Sequence, residues 1–100
     1  MKVTIETDEI WAKNTDQTVV VHTVLDQDDT VDVDHCDVMV LVPDADVTRP
    51  LRQRLDLPPA PGNALTWTVT PRQEGVLTIH VVFMVNNDPV FHTEFSQEVK

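Results

Sequence analysis

Apolar and polar residues alternate along most of the chain, and the alternation predicts strands rather than helices. The clearest case runs from Leu65 to Val85. Leu65, Trp67 and Val69 share one parity and Thr66, Thr68 and Thr70 the other, which predicts a strand over Ala64 to Thr70. Pro71 ends that ladder, and Gly75 is free to take the positive φ that a corner demands. A longer strand follows from Val76 to Val85, with Leu77, Ile79, Val81, Phe83 and Val85 inward. Nowhere does a 3.6-residue period persist for three turns.

The remaining segments read as partners for that corner. A first strand covers Lys2 to Ile10, with Val3, Ile5 and Thr7 on one side and Trp11 as a lid at its end. Thr18 to Asp26 is a second strand, apolar on both faces and so central or doubly covered. From Val31 to Val42 the parity slips: Val31 and Val33 disagree with Cys36, Val38, Val40 and Val42. A β-bulge near Asp34 and His35 reconciles the two halves and keeps the four even-numbered residues inward. The alternative turns Met39 and Leu41 to the core. Pro43 to Pro50 reads as a loop crossing. Leu51 to Leu57 is an edge strand whose outward Arg52 and Arg54 guard against added chains, and Pro58 to Gly62 is a rigid turn.

The final hairpin accepts a definite register. A three-residue loop over Asn86, Asn87 and Asp88 sets Phe83 opposite Phe91, Val81 opposite Thr93 and Ile79 opposite Phe95. Val82 then faces His92, and His80 faces Glu94, on the outer side. A two-residue loop would turn Phe91 and Phe95 outward, so face matching selects the odd loop. The last strand runs from Pro89 to Val99. About seven strands in 100 residues predict an all-β, antiparallel Greek-key β-sandwich forming one domain over 1–100.

Composition narrows the function. Seventeen acidic residues against seven basic give a net charge of −10. Such a surface repels phosphate backbones and anionic membranes, so neither nucleic acid nor membrane is expected as a partner. The only glycines are Gly62 and Gly75, which excludes phosphate-cradling loops. The single cysteine, Cys36, permits no internal disulfide, and no long apolar N-terminal segment marks a signal peptide. A cytoplasmic location is the expectation, with a surface-exposed or secreted setting if the chain is excised from a longer one. Met1 reads equally as a native or an added start.

The spacing Trp67-x-x-x-Pro71-x-x-x-Gly75-x-Leu77-x-Ile79-x-Val81 resembles a pattern in immunoglobulin-like and fibronectin-III-like accessory domains of bacterial multidomain proteins. The likeness covers about 35 of the 100 residues. It departs from immunoglobulin domains in lacking a cysteine pair and any tyrosine. The resemblance implies an immunoglobulin-like sandwich that is not an enzyme and works as an interaction or spacer module.

Candidate chemistry is sparse. Ser96 is the only serine and reads as outward on its strand. Cys36 adjoins His35, but strand neighbours point to opposite faces, so a small buried cysteine is the expectation. His80, His92 and Glu94 share the outer face of the last hairpin, where imidazole and carboxylate reach one zinc; a plain cross-strand pair is the other reading. Asp26, Asp28, Asp29 and Asp32 place oxygen ligands closely enough for calcium, without the glycine or closing glutamate of an EF-hand loop. That acidic loop supports an alternative function, a calcium-stabilised adhesion-type repeat. The preferred function is a protein-binding module without cofactor. Its expected partner is a protein or a neighbouring domain, or a second copy bound weakly, through His80, Val82, Met84 and His92.

Overall fold

A computed structural model describes residues 2–24, 33–48, 50–57 and 64–100. Among them the chain is all β, without helix, in two sheets. The described residues form nine strands: β1 (Lys2–Glu6), β2 (Ile10–Trp11), β3 (Gln17–Val24), β4 (His35–Leu41), β5 (Ala45–Val47), β6 (Arg52–Asp56), β7 (Ala64–Pro71), β8 (Gly75–Val85) and β9 (Asp88–Val99). One sheet has the order β1-β3-β7-β5 and the other β2-β9-β8-β4-β6. Every pairing is antiparallel except the two-residue β2–β9 ladder.

The period-2 alternation gives each sheet one apolar face, and the two apolar faces share one buried cluster. Val19, Val21, Trp67 and Val69 come from the first sheet. Cys36, Val38, Val40, Leu55, Leu77, Ile79, Val81 and Phe83 come from the second. The inward set expected for the chain's central strands is therefore the set observed, and Cys36, Val38 and Val40 hold the parity assigned to them. Phe83 and Phe91 meet across the hairpin with ring centroids 5.7 Å apart.

Both tryptophans are buried, and each uses its indole N–H to tie separate segments together. Trp67 on β7 donates to the carbonyl of Leu51, just before β6, at 2.9 Å. Trp11 donates to Thr7 Oγ1 at 3.0 Å, and that hydroxyl donates to the Thr18 carbonyl at 2.6 Å. The lid expected of Trp11 is thus a packed and hydrogen-bonded end of the core.

Five sequence expectations need correction. The first strand does not run unbroken to Ile10: β1 pairs with β3 in one sheet, and β2 pairs with β9 in the other. Gln97 holds the crossover between them, its buried amide donating to the carbonyls of Asp8 and Glu9 at 3.0 Å each. Second, the loop after Pro43 contains β5, which covers the edge of β7 through Val47 opposite Val69. Its turn places Asp44 at φ 61°. Third, β4 begins at His35, so the described residues show no bulge there; Val31 lies outside them.

The fourth correction concerns the β8–β9 turn. The strand-body register is as expected, Phe83 to Phe91 through Ile79 to Phe95. The loop is shorter, because Val85 pairs with Asp88 and Met84 with Pro89. A two-residue Asn86–Asn87 turn closes the hairpin, with φ of 52° and 69°, both left-handed as a type I′ turn requires. The extra residue is Val90, left unpaired where the register shifts. A bulge, and not a longer loop, supplies the odd count that keeps the phenylalanines inward. The fifth correction is Met84: its side chain is only 7% exposed, so it offers a partner almost nothing.

Candidate functional site: the outer face of the five-stranded sheet

Register fixes what the outer face of the five-stranded sheet displays. Across β4, β8 and β9, one row is Met39–Val82–His92 and the next is Leu41–His80–Glu94. Met39 and Val82 are half-buried, Leu41 is 41% exposed and His92 is exposed. Thr78 and Ser96 continue the face as a polar pair. Aliphatic side chains thus form a strip on β4 and β8, with the two imidazoles and Glu94 beside it.

His80 and Glu94 are directly opposed, and His92 sits two residues before Glu94 on the same face. The diagonal pair closes tightly: His80 Nδ1 lies 3.1 Å from His92 Nε2, and the rings meet edge to edge with centroids 5.3 Å apart and planes 25° from parallel. One ligand atom from each of His80, His92 and Glu94 falls within 4.8 Å of the other two. The structure therefore brings together the three residues that the strand pattern assigns to one face.

The positive charges near this face are tied down. Arg52 Nε donates to Asp37 Oδ2 at 2.9 Å, and its Nη2 donates to Asn87 Oδ1 at 2.7 Å. Arg54 pairs with Asp56 at 3.0 Å. Asp37 is also the residue opposite Met84, so Arg52 spans from β6 to the hairpin turn past Met84. β6 is the outer strand of its sheet, as expected of an arginine-guarded edge.

At the start of β4, an open recess is lined by Val33, Asp34, His35, Cys36, Met84 and Asn86, among others. It gathers a thiol, an imidazole and a carboxylate without aligning them. Cys36 points to the core, whereas His35 is exposed and bonds Asp34 through Nδ1 at 2.7 Å. Burial pushes the Cys36 thiol up, and the Asp37 carboxylate raises it further, which is the reverse of what a nucleophilic cysteine requires. The His35 contact holds the Asp34 carboxyl below its ordinary value.

Asp26, Asp28, Asp29 and Asp32, the calcium candidates, lie outside the described residues. Met39 and Leu41 belong to the outer face although they were not counted among its contact residues; the parity of β4 carried that information. Gln97 shares the inward parity of Phe91 and Phe95, a signal that would have marked it as buried. Among the described residues, every buried side-chain nitrogen and oxygen has a hydrogen-bond partner, so no orphaned polar group marks a second site. No protein-family model matches the chain, and no curated protein matches it at a significant level.

Proposed function

We propose that the two sheets form an immunoglobulin-like Greek-key β-sandwich serving as a non-catalytic interaction module. In this reading a protein partner or neighbouring domain packs on the outer face of the five-stranded sheet. The observation that carries it is the strip of Met39, Leu41 and Val82 beside two imidazoles. Apolar area of this kind gains most when a partner removes it from water. The opposite outer face presents Thr66, Thr68 and Thr70 along β7, which hydrate well, with Val20 and Val24 of β3 as its apolar members. Edge pairing is the poorer route: of the four edge strands β5 has three residues and β2 two, β6 carries paired arginines, and the five-residue β1 is bounded by the charged Lys2 and Glu6.

The test places Asp at Leu41 and Val82 together, with Thr68→Asp as the control on the other face. Self-association is followed by sedimentation velocity, and contact with a partner or flanking domain by cross-linking and mass spectrometry. The double variant is expected to weaken association at least tenfold, about 1.4 kcal/mol, while Thr68→Asp leaves it unchanged. Equal association of the double variant and wild type, with both folded by circular dichroism, would remove this face as the contact.

A further inference from the structure

The geometry points to a binding site for one borderline divalent transition ion, of the zinc class, held by His80, His92 and Glu94. This inference stands apart from the docking reading, because it needs no partner. Three observations carry it. The ligands come from two strands in fixed register, His80 opposite Glu94 and His92 two residues along, so the backbone of one hairpin positions all three. The two imidazole nitrogens already approach to 3.1 Å. Two nitrogens bound to a tetrahedral zinc at about 2.05 Å lie roughly 3.3 Å apart, so little movement separates the present spacing from a chelating one. All three ligand atoms fall within 4.8 Å, a spread that rotation of the Glu94 side chain closes.

Without an ion, one of the two facing nitrogens carries a proton and donates to the other. Binding moves that proton to the far nitrogen of its own ring, which frees both lone pairs for the metal. The Glu94 carboxylate supplies the third ligand and a negative charge. Water fills the fourth position, since the face is open on that side.

The donor set chooses the class of ion. Two nitrogens and one carboxylate suit zinc and its neighbours, whereas calcium and magnesium demand oxygens. Leu41 lies beside His80 in the sheet and Val82 beside His92. These aliphatic neighbours exclude water from one side and strengthen the charge interaction. Elsewhere among the described residues, His22 meets Glu6 at 3.0 Å and His35 meets Asp34 at 2.7 Å, and neither pair includes a second imidazole.

The test titrates zinc into the chelator-treated full chain by calorimetry, with cobalt(II) as a spectroscopic probe. One equivalent should bind, and cobalt should give the intense visible bands of a four-coordinate site. His80→Ala and His92→Ala should each weaken zinc at least tenfold and Glu94→Gln by less, whereas His22→Ala and His35→Ala should change nothing. At a hundredfold excess over its dissociation constant, zinc should raise the melting temperature by roughly 10 °C or more. His92 is exposed, so its replacement tests the site without threatening the fold. Absence of saturable binding would overturn the inference, as would binding that survives both histidine replacements or is lost with His22 or His35.

Discussion

The outer faces of the two sheets lie over one shared core, yet they use histidine differently. On the four-stranded sheet His22 contacts Glu6, its Nε2 3.0 Å from Oε2, one imidazole to one carboxylate on neighbouring strands. Ala64 and Thr4 are its direct cross-strand neighbours. On the five-stranded sheet His80 and His92 meet each other and Glu94, beside Leu41 and Val82. A single imidazole beside a carboxylate is satisfied by one hydrogen bond. Two imidazoles 3.1 Å apart satisfy each other only through one shared proton, and they gain more from a metal ion between them. The difference teaches that the surroundings of a surface histidine, and the number converging, decide what it can do.

The largest test of this contrast lies beneath it. Phe83 is buried directly under the Val82–His92 row and packs on Phe91. Phe83→Ala is expected to cost about 3–5 kcal/mol and to lower the denaturant midpoint accordingly. Val21, beneath the His22 row, is smaller, and Val21→Ala should cost less. If the faces share one cooperative core, both variants unfold in a single transition by fluorescence and circular dichroism. Separate transitions for the two tryptophans, Trp11 in the five-stranded sheet and Trp67 in the other, would show that the sheets unfold independently.

A smaller effect separates the histidines themselves. In metal-free buffer, His22→Ala removes an exposed contact with Glu6, and His92→Ala removes an exposed imidazole contact. Exposed pairs contribute only about 0.2–1 kcal/mol, so both changes in unfolding free energy should fall in that range. Zinc should then part the two variants, stabilising His22→Ala as it does wild type and leaving His92→Ala unmoved. Equal responses would erase the distinction between the faces.

Much of this contrast was legible in the sequence, and the physical reason is the fixed period of a strand. Once Phe83 is paired with Phe91 to keep both inward, Val82 must oppose His92 and His80 must oppose Glu94. The core residues Trp67, Val69, Ile79 and Val81 follow from the same rule. What was not legible depends on contacts with no period. The break between β1 and β2 is held by the Gln97 amide, whose inward parity marks its burial but does not name the Asp8 and Glu9 carbonyls it binds. The bulge at Val90 and the Asn86–Asn87 turn together mimic a three-residue loop, because both shift parity by one. The burial of Met84 lies beside the register shift and beneath the reach of Arg52, and alternation reports neither.

The smallest expected effect concerns the third histidine–carboxylate contact, at the start of β4. The His35 side chain holds the Asp34 carboxyl below its ordinary value of 3.8, first by a hydrogen bond and then by its charge. A lowered carboxylate value contributes stability above the unfolded-state value and loses it as pH falls through the lower folded-state one. The difference in melting temperature between wild type and Asp34→Asn should therefore fall away as pH drops below about 4. Because the pair is exposed to water, the difference should be small throughout. A carboxyl-carbon NMR titration reads the cause directly: the Asp34 midpoint should lie below 3.8 in wild type and return towards that value in His35→Ala. A midpoint that His35→Ala does not move would assign the shift to something other than the imidazole. His35 would then stand with neither His22 nor the His80–His92 pair.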